Sequence, residues 1–143
     1  MELRGKNALV TGATGGLGVA ESEALARAGA SVLMFDVKDG EAAEAINAAL
    51  PSGAPKVRFV HCDLADSKAA QALVRDLDRE TGGIDVLINN AAINPLKPID
   101  DYPLEEYQRV QAVNATAAVA LAQAVVPSMK RKGCGVRSST SAR

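Results

Sequence analysis

The stretch Thr11-Gly12-Ala13-Thr14-Gly15-Gly16-Leu17-Gly18 decides the fold. It follows a short apolar run at 7–11 and precedes apolar residues at helical spacing, so it is predicted to join a buried strand to a helix. Gly12 permits a tight turn, Gly16 leaves the main chain open to phosphate groups, and Gly18 allows the helix to pack closely on the strand. The first turn of such a helix presents free N–H groups and a partial positive charge. The turn therefore predicts a binding site for the phosphates of a dinucleotide.

Two other interpretations of this turn are weaker. A nucleoside-triphosphate P-loop needs Gly-Lys-Ser or Gly-Lys-Thr after the glycines, whereas this chain has Gly16-Leu17-Gly18. A glycine-rich turn without a ligand is the second alternative.

Strands and helices alternate along the first 130 residues. The pattern predicts strands at 7–11, 31–35, 56–62 and 84–88, and helices at 16–28, 40–50, 67–81 and 104–130. Alternation at this spacing is typical of βαβ units with right-handed crossovers. The predicted fold is α/β, a Rossmann-like doubly wound parallel sheet with strand order 3-2-1-4.

Apolar residues at helical spacing also predict which side of a helix packs inward. In the third helix these residues are Ala69, Leu73 and Leu77. In the first helix they are Leu17, Ala20, Ala24, Leu25 and Ala28.

The composition fits one globular domain and excludes several classes of protein. Of 143 residues, 48% are apolar and 23% charged, which excludes a disordered chain. A formal net charge of -1 argues against nucleic acid or an anionic membrane as the main partner. The longest apolar stretch, 117–126, is too short to cross a bilayer, and the chain starts without an apolar signal region. Cys62 and Cys134 match no metal-ligand spacing, so we expect no metal site and reduced thiols in the cytoplasm.

An acidic residue predicts the choice of cofactor. Asp36 lies 18 residues beyond Gly18, at the end of the second strand, where a carboxylate would accept hydrogen bonds from the adenosine ribose. The same charge repels a 2′-phosphate, Gly15 supplies no cation, and Lys38 is the nearby candidate to receive one. NAD is therefore predicted over NADP, although a strand-end turn residue without a ligand is the alternative for Asp36.

Five motifs together resemble a known family. The glycine-rich turn, Asp36, His-Cys-Asp-Leu at 61–64, Asn-Asn-Ala-Ala at 89–92 and Val113-Asn114 have the order and spacing of the short-chain dehydrogenases/reductases. The resemblance covers residues 3 to about 135 and is strongest to 3-oxoacyl-acyl-carrier-protein reductases and to sugar or polyol dehydrogenases. It implies an NAD(P)-binding domain over residues 1–135 and hydride transfer between a small-molecule secondary alcohol and a ketone.

The resemblance also implies roles for individual residues. Asp63 would bond the adenine amino group with Leu64 beside the ring, and Asn90, Ala91 and Ala92 would line the adenosine half. The implied cofactor-binding set is Gly12, Thr14, Gly15, Gly16, Leu17, Gly18, Asp36, Asp63, Leu64, Asn90, Ala91 and Ala92. The family usually has glycine where this chain has Ala92.

Asn114 matches the family's catalytic asparagine. In the family this residue sits at an irregularity in the long helix and holds a water of the proton relay. An asparagine within an apolar helical stretch is a poor helix former that needs a hydrogen-bond partner. That need fits a polar role, although a core asparagine with satisfied hydrogen bonds is the alternative.

The family's Tyr-x-x-x-Lys pair is not matched in these 143 residues. The residues four positions beyond Tyr102 and Tyr107 are Glu106 and Gln111. The lysine of that pair favours the phenolate, so without it no positioned acid/base is expected. We therefore expect the chain to be inactive. A non-catalytic NAD-binding module and a non-functional fragment are the alternatives to an enzyme.

Residues 136–143 are predicted to be an irregular tail where the fold requires a fifth strand. The family usually has Ile-Val-Asn-Ile-Ser-Ser there, and codons ATC-GTC-AAC-ATC-AGC-TCG read one nucleotide late encode Ser-Ser-Thr-Ser-Ala-Arg, which is the sequence at 138–143. We hypothesise a frameshift near Val136, so that the sheet is truncated before its fifth strand. The fourth strand would then be an unprotected edge and the chain would fold poorly. The frameshift hypothesis would be ruled out if the other reading frame of the coding DNA did not encode a strand and a Tyr-x-x-x-Lys motif.

One face of the long helix predicts assembly. Ala115, Val119, Ala122 and Val126 give it more apolar surface than contact with one sheet requires. Family members pair such helices across a two-fold axis, so we expect the intact protein to be a homodimer or homotetramer.

Overall fold

The computed structural model describes residues 2–133. Its strands are β1 (Asn7–Thr11), β2 (Ser31–Asp36), β3 (Val57–His61) and β4 (Val86–Ile88). Its helices are α1 (Gly16–Arg27), α2 (Glu41–Ala49), α3 (Ser67–Thr81), α4 (Leu104–Gln111) and α5 (Ala117–Arg131), with a 3₁₀ turn at Ile99–Asp101 and a π-helical segment at Ala112–Thr116. The predicted tail at 136–143, and with it the proposed frameshift, lies outside the described residues, as does Cys134.

The four strands form one parallel sheet in the order β3-β2-β1-β4. Ala8 of β1 is the register partner of Val32 in β2 and of Val86 in β4. This arrangement confirms the predicted fold class and strand order. Within the described residues β4 pairs on one side only, with β1.

Helices cover both faces of the sheet. On one face, Leu9, Leu33 and Phe35 pack with residues of α3 and α5. On the other, Ala8 and Val32 pack with residues of α1 and α2. Strands that are apolar on both sides, as β1 and β2 are, require such a double cover, because neither face of the sheet can be left to water.

The predicted inward face of α3 is wrong at Ala69, which is exposed. Ala70, Val74 and Leu77 are buried instead, while Leu73 is only partly buried. The reason is the helix start: Asp66 caps α3 by accepting a hydrogen bond from the Ala69 main-chain nitrogen at 3.0 Å. The buried stripe begins one residue later.

The predicted inward face of α1 is wrong at three of its five residues, while Leu25 is partly buried against the core. Leu17, Ala20 and Ala24 are exposed, and the buried residues are the small Gly18, Ser22 and Ala26. A Cβ added at Gly18 would lie 2.3 Å from the Gly12 carbonyl oxygen. At Gly18 the main chain of the turn therefore leaves no room for a side chain, and the rest of the inner face is also formed by small residues.

The helical segment from Leu104 to Arg131 is long and apolar enough to span a membrane by length and composition alone. Its inner residues, among them Val113, Leu121 and Val125, belong to the core cluster that also contains residues of β1 and α3. The apolar composition therefore has a structural explanation in the packing of the fold. The face predicted for assembly is on the outside, and Val119 is 60% exposed.

Candidate cofactor site

The glycine-rich turn has the geometry that its glycines require. Gly12 has a φ of +60°, and a Cβ there would lie 2.8 Å from the Ala91 Cα, so both conformation and space exclude a side chain. A side chain at Gly18 is also excluded, because its Cβ would collide with the Gly12 carbonyl oxygen. These two positions therefore hold glycine for reasons internal to the fold.

Gly15 and Gly16 differ from the other two glycines. A Cβ at Gly16 would meet no atom within 4 Å, and at Gly15 the nearest atom would be the Gly12 oxygen at 3.5 Å. No side chain caps the start of α1, and its first turn holds no acidic residue. The start of α1 therefore has open space beside it and carries the partial positive charge of a helix N-terminus, which is the environment that suits a phosphate group. The residues fit a dinucleotide at this position.

Thr11 and Asn90 join the turn to the end of β4. The buried Thr11 hydroxyl accepts hydrogen bonds from the main-chain nitrogens of Asn90 and Ala91, both at 3.1 Å. The Asn90 side-chain nitrogen donates to the main-chain oxygens of Thr11 and Gly12, also at 3.1 Å. The Asn90 side chain thus holds the turn in place. The structural role of Thr11 was not predicted from the sequence, since its partners lie 79 and 80 residues away.

Asp36 lies beside the turn at the end of β2. Its Oδ2 accepts from the Thr14 main-chain nitrogen at 3.0 Å and its Oδ1 from the Val37 nitrogen at 2.8 Å. Partial burial acts to raise the pKa of this carboxyl, but hydrogen bonds from Thr14, Val37 and Lys38 outweigh it and hold the pKa below its usual value. Asp36 is therefore a fixed negative charge beside the glycine-rich turn.

A cavity of about 90 Å³ lies beside Asp36. Its lining brings together residues at or after the ends of all four strands and residues of the helical segment that starts at Leu104. They are Gly12, Phe35, Asp36, Val37, Cys62, Asp63, Leu64, Ala92, Ile93, Arg109 and Val113. Five of the predicted cofactor-binding residues thus share one cavity. Burial, together with the charges of Asp63 and Asp66, raises the pKa of the Cys62 thiol to about 11, so Cys62 is a protonated wall residue.

Asp63 is held at the mouth of this cavity by two groups. Its Oδ1 accepts from the Ala65 main-chain nitrogen at 2.9 Å. The Arg109 guanidinium of α4 contacts both carboxylate oxygens at 3.4–3.5 Å. Arg109 was not singled out from the sequence, because nothing in the local pattern indicates a partner 46 residues away.

Asn114 lies in the π-helical segment, where an irregularity was predicted. Its Oδ1 accepts from the Ile93 main-chain nitrogen at 2.8 Å, and its Nδ2 donates to the Ile93 oxygen at 2.9 Å. The side chain therefore fixes the loop that follows β4, and the loop residues Ala92 and Ile93 line the cavity. Among residues 2–133 no group of three His, Cys, Asp or Glu side chains could hold a metal ion.

Known proteins are similar to this chain in sequence and in structure. A sequence model described as short chain dehydrogenase matches residues 6–137. The chain is 35% identical over 133 residues to D-beta-hydroxybutyrate dehydrogenase of Cupriavidus necator, covering 93% of this chain and 51% of that protein. It is 38% identical over 125 residues to galactitol 2-dehydrogenase of Agrobacterium fabrum, covering 87% of this chain and 47% of that protein. The chain thus spans about half the length of the curated relatives it matches.

Solved structures show the same likeness to short-chain oxidoreductases. A metagenomic short-chain oxidoreductase in complex with NADP superimposes with a TM-score of 0.84 at 31% identity, covering 93% of this chain and 60% of that one. L-sorbose reductase from Gluconobacter frateurii, complexed with NADPH and L-sorbose, gives a TM-score of 0.82 at 30% identity, covering 93% and 51%. With the matching family model and the parallel sheet, these likenesses show that the chain belongs to the short-chain dehydrogenase family.

Proposed function

We propose that this chain is the dinucleotide-binding part of an oxidoreductase that interconverts a small secondary alcohol and a ketone. One observation carries the proposal: the uncapped start of α1 faces open space at Gly15 and Gly16, at the same sheet edge as Asp36 and the cavity. Membership of the family and relatives named as dehydrogenases of hydroxybutyrate and galactitol support the reaction class.

The site divides into three parts along an extended cofactor. The main chain of Gly15, Gly16 and Leu17 would receive the phosphates at the start of α1. Asp36 would accept hydrogen bonds from the adenosine ribose. Asp63 would accept from the adenine amino group, with Leu64 and Ala92 as apolar walls of the cavity.

We further propose a preference for NAD over NADP. Several solved neighbours hold NADP or NADPH, so the proposal rests on Asp36 alone. Its carboxylate is held by two main-chain nitrogens and cannot turn away from the ribose position without losing them. A 2′-phosphate about 4 Å from this charge is repelled by about 1–4 kcal/mol, depending on how much water lies between them.

A bound nicotinamide would supply the hydride chemistry that interconverts the secondary alcohol and the ketone. Asn114 is proposed to belong to the proton-relay region, where its contacts with Ile93 fix the loop beside the cofactor. Neither Tyr102 nor Tyr107 is followed four residues later by lysine. We therefore propose that these 143 residues alone bind cofactor without turnover, and that the intact enzyme is a cytoplasmic homodimer or homotetramer.

A non-functional fragment is the second candidate. Its support is the position of β4, which pairs on one side only among the described strands. An apolar strand with one neighbour promotes aggregation. A non-functional fragment would show neither a cooperative thermal transition nor saturable binding of NADH. Thermal unfolding and an NADH titration therefore separate the two candidates.

The test is a fluorescence titration of the 143-residue chain with NADH, beside Gly16→Val. Because a side chain at Gly16 meets open space, the variant is expected to keep the thermal midpoint of the unchanged chain while losing at least ~tenfold in affinity. NAD and a panel of secondary alcohols are then expected to yield no NADH above background. Equal affinity of both chains would contradict phosphate binding at the turn, and NADH formation would contradict the absence of turnover.

A further inference from the structure

The Arg109 side chain bridges α4 and the end of β3 at the mouth of the cavity. Its guanidinium nitrogens lie 3.4–3.5 Å from the two carboxylate oxygens of Asp63, and both side chains are about half exposed. These distances are at the long end of hydrogen bonding but within ion-pair range, so attraction between the charges keeps the two side chains together. The carboxylate keeps lone pairs for a further donor.

Arg109 lies at a position of α4 that lines the cavity. Arg109 and Val113 are four residues apart and both line it, Val113 as a buried apolar wall and Arg109 at the half-exposed rim. Among the described residues that line this cavity, Arg109 carries the one basic side chain, against the carboxylates of Asp36 and Asp63. A planar, permanently charged guanidinium can both bind a carboxylate and stack on a heteroaromatic ring.

We propose that Arg109 is a positioning residue for the adenine end of the cofactor. It holds the Asp63 carboxylate at the mouth of the cavity, so that this carboxylate accepts from an exocyclic amino group and selects adenine over rings that lack one. The inference rests on the proposed dinucleotide site and adds a residue of α4 to it. It also connects adenine recognition to the helix that continues into the segment of Asn114.

The experiment compares affinities for NADH and for the reduced hypoxanthine dinucleotide, in which a carbonyl replaces the adenine amino group. The unchanged chain is expected to prefer NADH. Arg109→Gln is expected to lose about threefold to tenfold in NADH affinity and to move the preference toward unity, with partial recovery in Arg109→Lys. In an Asp63→Asn background, Arg109→Gln is expected to cause little further loss, because its partner is already gone.

Arg75→Gln is the matched control, since it removes the same charge from an exposed position on α3 that does not line the cavity. Equal losses of NADH affinity in Arg75→Gln and Arg109→Gln would show that only the net charge matters, which would overturn the inference. A lower affinity for both dinucleotides with an unchanged ratio would assign Arg109 a merely structural role and also overturn it. Failure of the unchanged chain to bind NADH would overturn the proposed function itself.

Discussion

The Asn90 side-chain amide donates a hydrogen bond to the main-chain oxygen of Thr11 at 3.1 Å, across 79 residues of sequence. In return, the Thr11 hydroxyl accepts from the Asn90 main-chain nitrogen. This reciprocal pair joins the carboxyl ends of β1 and β4, and the glycine-rich turn begins at Thr11. The shape of the glycine-rich turn is therefore set partly by residues that follow β4, the strand next to β1.

Replacing Thr11 by valine tests this connection. The change keeps the shape of the side chain but leaves the nitrogens of Asn90 and Ala91 without their acceptor, so we expect a loss of about 1–3 kcal/mol in the free energy of unfolding. Urea unfolding followed by circular dichroism measures it. Thr116→Val, at an exposed position, is the matched control and should change stability by less than about 0.5 kcal/mol. Equal effects at both positions would argue against the connection.

Two glycines of the turn should respond in opposite ways to alanine. Gly18→Ala places a Cβ 2.3 Å from a main-chain oxygen, so we expect it to destabilise the chain by about 1–3 kcal/mol or more. Gly16→Ala adds a methyl group where no atom lies within 4 Å, and because alanine favours helix, stability should be equal or slightly higher. Thermal unfolding of both variants decides the matter. A stable Gly18→Ala chain would contradict the close packing of α1 on the turn.

Replacing two buried serines by alanine should change the stability of the chain in opposite directions. Ser22 is fully buried in α1 and, within the described part of the chain, its hydroxyl has no hydrogen-bond partner. Ser128 donates to the Asp78 Oδ1 at 2.7 Å. We therefore expect Ser22→Ala to stabilise the chain by about 1 kcal/mol and Ser128→Ala to destabilise it by about 1–3 kcal/mol. Calorimetry of the two variants measures the difference, and a destabilising Ser22→Ala would show that its hydroxyl has an energetic role.

The Asp85 carboxyl should make stability depend on acid pH. Its side chain is 4% exposed. Burial acts to raise its pKa, but the Asn7 main-chain nitrogen, Lys132 and Lys6 outweigh burial and lower the pKa. A carboxyl with a lowered pKa in the folded chain stabilises it above the unfolded value of about 3.9, and this stabilisation is lost as pH falls through the folded value.

The measurement is the thermal midpoint of the unchanged chain and of Asp85→Asn between about pH 7 and pH 3. The unchanged chain should be the more stable at neutral pH, and the gap should narrow below about pH 4 as Asp85 is protonated. A gap that stays constant down to pH 3 would show that the charge of Asp85 does not stabilise the fold.

The sequence predicted the sheet and the glycine-rich turn because those features are local. Strands apolar on both faces and a glycine-rich turn between strand and helix are readable within about ten residues. The inner face of α1 was not readable, because it is formed by the small residues Gly18, Ser22 and Ala26, and at Gly18 the turn leaves no room for a side chain. Thr11 and Arg109 were missed because their partners are distant in sequence, and only the folded chain brings them together.

The most direct test of the account is isothermal titration of the unchanged 143-residue chain with NAD and, in parallel, with NADP. We expect saturable binding of one NAD per chain and binding of NADP at least ~tenfold weaker, which corresponds to about 1.4 kcal/mol of repulsion at Asp36. Binding of NADP as tightly as NAD would contradict the role of Asp36. The absence of saturable binding with either dinucleotide would contradict the central claim that this chain forms a cofactor site.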